Sequence, residues 1–203
     1  MKRVEMAEQE KLPGASGPGR RRSDQSHRAI LQATREELEE VGYRAMTIEG
    51  IAARAGVGKK TIYRWWPSKA AVALEALTTF SQRHAPFPDT GSLDEDLLTY
   101  FKQAFPDLQG KAGTVLSGLA AEAQLDPAFA HDFQQSFIVP MKAGLVGLLR
   151  RGLQRGELAP DTNLEVLADL IYGAKWYRFL LYPAPLDDAF ARDIVHIIQK
   201  LKD

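Results

Sequence analysis

The amino-acid sequence predicts an all-α protein of about nine helices. Apolar residues recur at three- and four-residue spacings along most of its 203 residues, as they do on the buried face of a helix. No segment in the second half alternates apolar and polar residues as a half-buried strand would. Glycine, proline and capping residues separate successive helical segments, which gives a boundary for most of the predicted helices.

Capping residues and helix breakers place the individual helices. Ser23 and Asp24 can cap a first helix that ends at Gly42. Thr47 can cap a second helix, which Gly56 ends. Further helices are predicted near residues 58–66, 69–83, 92–105, 112–125, 127–155 (with Pro140 as a kink or restart), 162–181 and 187–202.

The charges are divided unevenly along a chain whose formal net charge is zero. Residues 20–69 hold eleven basic and six acidic side chains and carry +5, whereas residues 70–203 hold 12 basic and 17 acidic side chains and carry −5. A basic N-terminal part attached to an acidic body favours a polyanionic partner such as nucleic acid for the first part.

The charge division and the helix breakers predict three regions. Residues 1–22 combine a stretch rich in proline and glycine with Arg20, Arg21 and Arg22, which predicts a flexible basic arm. Such an arm is either a solvated terminus or a segment that enters a DNA minor groove, and the segment that follows favours the second interpretation. Residues 23–68 are predicted to form a DNA-binding domain of three helices, and residues 69–203 an all-helical regulatory and dimerisation domain.

The segment from Thr47 to Trp66 fits a helix-turn-helix motif. Such a motif needs two short helices, a small residue in the turn and a second helix with polar groups directed at the major groove. Apolar side chains for a shared core and a small turn residue are present at Ala52, Gly56, Val57, Ile62 and Trp66. Basic residues on the second helix, Lys59, Lys60 and Arg64, together with the arginines of the arm, are therefore predicted to contact DNA. Trp65 has two open interpretations, packing against the fourth helix or bracing the DNA backbone.

The run from Ala55 to Lys69 resembles the signature of TetR/AcrR-type transcriptional regulators, and the resemblance covers about residues 24–70. It implies DNA contacts by Thr61, Tyr63 and Lys69, with Thr47 at a helix start near a phosphate. Gly58 and Lys60 depart from the commonest pattern, which has a serine or threonine cap and a small residue at these positions. The departure affects the expected operator sequence and leaves the expected fold unchanged.

The same resemblance implies a homodimer, formed through helices at about 162–181 and 187–202, and a small-molecule effector. The apolar periodicity of those two helices by itself fits either an internal core or a helix-pair interface. The candidate pocket residues are apolar and aromatic: Tyr100, Phe101, Phe105, Leu119, Phe133, Phe137, Met141, Trp176, Tyr177 and Phe179. Lys175 and Arg178 lie near the last of these in sequence and either meet an acidic ligand or point outward.

The sequence gives little support for an enzyme or a metal-binding protein. The chain has no cysteine, and its four histidines have none of the spacings that place two metal ligands on one helix face. No phosphate-binding glycine loop or nucleophile elbow is present, so we expect no catalytic residue, metal or cofactor. No apolar run reaches the roughly 18 residues of a membrane helix, and no signal peptide is apparent, which predicts a cytoplasmic protein.

The sequence thus favours a homodimeric repressor that binds a double-stranded DNA operator and is released from it by a small molecule. A second hypothesis is a scaffold protein whose helix-turn-helix no longer binds DNA and whose acidic body binds a protein. An enzyme is the least favoured class.

Overall fold

The computed structural model describes residues 18–81, 87–182 and 184–200, and the predicted all-α fold is confirmed over these residues. Each of the nine predicted helices has a counterpart there, and no strand occurs among the residues described. Residues 1–17 of the predicted arm lie outside the described residues, as do the last residues of the predicted helices at 69–83 and 187–202.

Five helices form the N-terminal part, and their bounds correct the predicted ones at several points. They are α1 (Pro18–Glu40), α2 (Gly42–Ala45), α3 (Ile48–Ala55), α4 (Lys59–Tyr63) and α5 (Lys69–Ser81). The single-turn helix α2 was not predicted. Helix α4 is shorter than the predicted 58–66, and turns carry the chain from its end to Trp66.

Helix α1 begins at Pro18, five residues before the predicted start at Ser23. Arg20, Arg21 and Arg22 were predicted to lie in a flexible arm, whereas their backbone is helical in this structure, and their contact with DNA stays a prediction. Proline is accepted in the first turn of a helix, where its missing N–H has no partner to lose, and arginine is a good helix former. The Pro18 that suggested an irregular arm is therefore compatible with the helix start.

The predicted caps around α3 are confirmed. The Thr47 hydroxyl accepts a hydrogen bond from the backbone N–H of Gly50 at 3.0 Å, which satisfies one of the unpaired donors at the helix start. Gly56 ends the helix with a φ of +64°, a left-handed conformation in which a side chain would be strained. Gly42, the first residue of α2, adopts a φ of +78°, which also favours glycine.

Six further helices form the C-terminal part. They are α6 (Leu93–Gln109), α7 (Lys111–Leu125), α8 (Pro127–Phe133), α9 (Val139–Gln154), α10 (Leu164–Trp176) and α11 (Asp188–Gln199). The predicted restart near Pro140 is found as a π-helical turn at Gln134–Ile138, directly before α9. Proline has no N–H for the hydrogen bond to the preceding turn, which favours a change of helical geometry there. A second π turn, Tyr177–Leu181, extends α10.

The helices enclose two apolar cores. The first core contains buried residues of α1–α5, α7 and α8, and the second core contains buried residues of α6, α9, α10 and α11. Ala70, Val72 and Leu74 of α5 lie in the first core, so this core includes residues from both sides of position 68. The predicted domain division after residue 68 stays a prediction. Trp176 and Phe179 pack against both cores and connect them.

Helices α2 and α7 meet through an aromatic ring seated on a glycine. The ring of Tyr43 lies so close to Gly118 that a Cβ at position 118 would stand 2.3 Å from a ring carbon. The Tyr43 hydroxyl lies 3.5 Å from a Glu122 carboxylate oxygen. Burial, reinforced by that carboxylate, raises the pKa of Tyr43 to about 12. The contact joins the helix-turn-helix region to the C-terminal helices.

Two glycines allow the packing of α6 against α7 to be tested, because a side chain would clash at one of them and would have open space at the other. A Cβ at Gly113 of α7 would lie 1.8 Å from the backbone carbonyl oxygen of Leu108 in α6, whereas one at Gly147 of α9 would meet nothing within 4 Å. We expect Gly113→Ala to lower the free energy of unfolding by about 1–3 kcal/mol, because backbone must shift. Gly147→Ala should raise it by about 0.5–1 kcal/mol, because glycine is a poor helix former. Urea unfolding of both variants measures these changes, and equal shifts would contradict the described approach of α6 to α7.

Candidate nucleic-acid interface

Helices α3 and α4 form the predicted helix-turn-helix, and buried side chains hold both against the first core. Ile51 and Ala52 are buried on α3, and Ile62 is buried on α4. The turn between the helices is held by the backbone N–H of Val57, which donates to the carbonyl oxygen of Ala52 at 3.0 Å. Helix α4 is therefore fixed on one side, and its other side is open to solvent.

The open side of α4 carries the side chains that the sequence assigned to DNA. Lys59, Lys60 and Arg64 are exposed, and Tyr63 is 53% exposed although it is aromatic. Thr61 is half-buried, and the exposed Thr47 lies at the start of α3. Because no bulky apolar side chain of α4 other than Tyr63 is exposed, this surface is polar and basic, as a major-groove reading surface must be.

An acidic residue accompanies the basic face. Glu49 of α3 forms an ion pair with Lys59, with 2.8 Å between Oε1 and Nζ, and both side chains are largely exposed. The hydrogen bond from Lys59 lowers the pKa of Glu49, and the same bond raises the pKa of Lys59. Glu49 was not predicted as a site residue, because ten residues separate it from Lys59 and only the angle between α3 and α4 brings the two together.

Arg64 is positioned by an aromatic ring. Its guanidinium carbon lies 4.5 Å from the centroid of the Trp65 ring, a cation–π arrangement. Trp65 in turn meets His27 of α1 edge-on, with ring centroids 5.2 Å apart. The ring of Trp65 also packs against the first core, and both open interpretations of this residue stay predictions. Arg64 is therefore exposed beside a tryptophan that contacts α1.

The adjacent Trp66 is a core residue, as the sequence predicted. Its indole N–H donates to a Glu75 carboxylate oxygen at 2.7 Å, and His27 lies 3.1 Å from the other oxygen of the same carboxylate. Glu75 belongs to α5 and His27 to α1, so one carboxylate ties the end of the helix-turn-helix to two neighbouring helices. These bonds satisfy the polar edge of a buried tryptophan, which would otherwise carry a desolvation cost.

Lys69 is placed differently from the other candidate DNA contacts. Its ammonium group lies 3.3–3.4 Å from the carbonyl oxygens of Tyr43, Arg44 and Met46, at the C-terminal end of α2. A cation there compensates the unpaired carbonyl groups of the helix end. The side chain thus holds α2 in this structure, and its contact with DNA stays a prediction. The side chains of Arg20, Arg21 and Arg22 lie outside the described residues.

The structure does not bring the ten candidate pocket residues together. Tyr100, Phe101, Phe105 and Met141 belong to the second core, Leu119, Phe133 and Phe137 belong to the first, and Trp176 and Phe179 touch both. Tyr177, in the second π turn, is 55% exposed and lies apart from the buried candidates, and its assignment to a pocket stays a prediction. Lys175 points inward, whereas Arg178 lies over the Phe190 ring near the surface.

Other kinds of site find no support in the described part of the chain. No group of three or more histidine, aspartate or glutamate side chains there is arranged to hold a metal ion. Among the same residues, no helix combines the length and apolar character needed to cross a bilayer.

Comparison with known proteins assigns the family. Residues 30–76 match the family described as bacterial regulatory proteins, tetR family, and residues 87–198 match the tetracyclin repressor-like C-terminal domain. The chain is a TetR-family transcriptional regulator. The regulator is 39% identical to the uncharacterized HTH-type transcriptional regulator YdeS of Bacillus subtilis over 87% of this chain and 89% of that protein.

Two further relatives agree with this assignment. The DNA-binding transcriptional repressor TetR of Mycobacteroides abscessus is 27% identical, over 82% of the regulator and 88% of that protein. The crystal structure of the TetR family transcription regulator SCO0332 superposes with a TM-score of 0.76 at 32% identity, covering 87% of the regulator and 97% of that chain. The family consists of DNA-binding regulators and not of enzymes, which confirms the predicted class.

The ion pair between Glu49 and Lys59 gives a test of the basic face. Glu49→Gln removes the carboxylate that competes with DNA phosphates for Lys59, so affinity for a duplex of arbitrary sequence should rise. If Lys59 then gains one phosphate contact, the plot of log affinity against log salt concentration steepens by about 0.9. Fluorescence anisotropy over a salt series measures both quantities.

Glu95→Gln is the control for this experiment, because it changes the net charge equally at an exposed position on α6. We expect it to leave the slope unchanged. A Glu49→Gln variant that behaves like the control would exclude Lys59 from the DNA-binding surface.

Proposed function

We propose that this regulator is a homodimeric repressor that acts in the cytoplasm, binds a partly palindromic DNA operator, and leaves it when a small molecule binds. The observation that carries the proposal is the face of α4, where Lys59, Lys60, Tyr63 and Arg64 are exposed on a helix whose opposite side is buried. A helix held in this way presents its polar groups to a major groove.

The residues of this face take two kinds of role in the proposal. Lys60 and Arg64, whose side chains form no ion pair in the described structure, supply base-edge or phosphate contacts that distinguish this operator from others. Thr47, Thr61 and Tyr63 hold the DNA backbone, with Lys59 competing between Glu49 and a phosphate. The roles of Lys69 and of Arg20, Arg21 and Arg22 remain as the resemblance and the composition predict them.

An apolar stripe on α10 and its π turn supports dimerisation. Its large apolar side chains are exposed at helical spacing: Val166, Leu170, Tyr177 and Leu181. Gly173 lies within the stripe, with open space where its Cβ would be, so another helix can approach closely there. Ile197 of α11 is also exposed. Contiguous exposed apolar surface of this kind is typical of a protein interface, and two copies joined there would form a four-helix contact.

Dimerisation gives the two α4 helices a fixed separation. On one face of B-DNA, successive major grooves are about 34–36 Å apart, so a two-fold dimer reads two half-sites related by the same symmetry. A ligand that binds better to a dimer with another separation weakens DNA binding by its differential affinity for the two states.

Helix α5 is the proposed link between ligand and DNA. It packs against α1 on one side and against α7, α8 and the π turn at Gln134–Ile138 on the other. Its Glu75 also binds Trp66, directly after α4. A displacement of α7 or α8 therefore reaches the helix-turn-helix through packed side chains and needs no flexible segment.

The DNA-binding part is tested by selecting bound fragments from random duplexes and measuring gel shifts on the selected sequence. We expect Lys59→Ala/Lys60→Ala to weaken binding by about tenfold or more, because each lost contact costs about 1–3 kcal/mol. Lys102→Ala/Arg150→Ala removes the same charge from exposed positions on α6 and α9 and should leave binding nearly unchanged. Selection of no preferred sequence, or equal losses in both double variants, would contradict the proposal.

The dimer is tested at the apolar stripe. Leu170→Glu places a charge on a side chain that is 64% exposed, and it should convert the dimer to a monomer and abolish the gel shift, because a buried unpaired charge opposes association. Leu125→Glu is the control, since Leu125 is 81% exposed at the end of α7, away from the stripe. Sedimentation equilibrium measures the mass of both variants, and an unaltered dimer in Leu170→Glu would rule out this interface.

A further inference from the structure

A lysine is buried in the second core. Lys175 of α10 is 3% exposed, and no carboxylate among the described residues forms an ion pair with it. Lysine is almost never fully buried unless it is paired, because transfer of its ammonium group out of water is costly. Such a residue in a packed core therefore indicates a requirement other than stability.

The described contacts of the Lys175 ammonium group are with two tyrosines. It donates to the Tyr100 hydroxyl at 2.9 Å, and its nitrogen lies 4.5 Å from the Tyr172 ring centroid and 5.3 Å from that of Tyr100. An ammonium group has three donors, so the hydrogen bond to Tyr100 leaves two hydrogens for another acceptor. The ring faces offset part of the cost of burial but supply no negative charge.

The hydroxyl groups beside Lys175 have a fixed direction of donation. The Tyr100 hydroxyl donates to the Tyr172 hydroxyl at 3.3 Å, and the Tyr172 hydroxyl donates to the backbone carbonyl oxygen of Met141 at 2.9 Å. Both tyrosine protons are thus committed, and burial, with Tyr100 beside it, raises the pKa of Tyr172. The remaining hydrogens of Lys175 are therefore the unused donors of this cluster.

An apolar ring closes this cluster. Phe87 stacks on Tyr100 with ring centroids 5.3 Å apart, and its ring fills the space above Gly144, where a Cβ would stand 2.0 Å from it. Phe87 belongs to the segment before α6 and not to a helix. Its ring is therefore held by packing against the second core and not by the hydrogen bonds of a helix, and it lies between Tyr100, which binds Lys175, and Gly144.

We propose that Lys175, positioned by Tyr100 and Tyr172, binds the carboxylate of an organic acid whose apolar body takes the place of the Phe87 ring. This inference rests on the proposed function, since the acid is then the effector that releases the repressor from DNA. The carboxylate accepts the two free hydrogens of Lys175 and supplies the missing negative charge. Trp176 follows Lys175 in α10 and packs against both cores, so a shift of α10 reaches the first core.

The test uses the full chain without DNA and a series of probe molecules: the n-alkanoates from hexanoate to dodecanoate, 1-naphthoate, and the corresponding primary amides. Titration calorimetry should show that the wild type binds acids of the series at least about tenfold more tightly than their amides, because a charge-assisted hydrogen bond replaces a neutral one. Lys175→Met should lose this preference and keep the affinity for the amides. Lys102→Met, on the exposed side of α6, should behave as the wild type.

The unfolding midpoint separates a binding lysine from a structural one. We expect Lys175→Met to unfold at the wild-type temperature or above it, because methionine fills a similar volume without a buried charge. A lower midpoint, or failure of the variant to fold, would assign Lys175 to the core and overturn the proposal. Absence of any preference for acids over amides in the wild type, or its persistence in Lys175→Met, would overturn it equally.

A second measurement, with DNA present, separates the acid-binding site from the release mechanism. The preferred acid is added to the wild type bound to its selected DNA, and release is followed by anisotropy. Acid preference that depends on Lys175, with no release, retains the binding site and refutes the release mechanism. Release by acid and amide alike retains a ligand-responsive repressor and refutes the role of Lys175.

Discussion

The burial of one side of α4 is the constraint on which the DNA-binding part of this molecule depends. Helix α4 has only five residues, and a helix of that length is unstable alone because the cost of its first turn is not recovered. Ile62, fully buried, and Trp66, buried just beyond the helix, hold it against α1, α3 and α5. The same burial determines which side chains remain outside, and these are the basic residues and Tyr63.

The basic residues of the N-terminal part differ in the polar groups that they contact. Lys69 holds the carbonyl groups at the end of α2, and Lys59 shares its charge with Glu49. Arg54, also basic, binds the carboxylates of Glu36, Glu37 and Glu40 and fastens α3 to α1. Part of the positive charge of residues 20–69 therefore stabilises the domain, whereas Lys60 and Arg64 are exposed and form no ion pair among the described residues.

The first core joins the DNA-binding end of the molecule to C-terminal helices by direct packing. The first core includes α7 and α8 together with the helix-turn-helix, and the ring of Tyr43 fits against Gly118 of α7 without space between them. Interiors packed in this way transmit displacements because they cannot be compressed. The buried Lys175 is followed in sequence by Trp176, one of the residues that pack against both cores.

The sequence by itself determined the all-α class, the helix-turn-helix and the boundaries of α3 at Thr47 and Gly56. These features follow from local chemistry: a cap oxygen, a left-handed glycine and a helical spacing of apolar residues act within one turn of the chain. The regular start of α1 at Pro18 was missed because proline and arginine are compatible with both an arm and a first helical turn.

Only the tertiary structure decided which distant residues meet. The ion pair between Glu49 and Lys59, the placement of Lys69 on α2, the division of the aromatic residues between two cores and the inward direction of Lys175 all depend on angles between helices. Helical periodicity predicts that a residue is buried, but it does not predict which residues it contacts. Lys175 and the exposed Tyr177 are two positions apart in sequence, and the packing of α10 buries one and exposes the other.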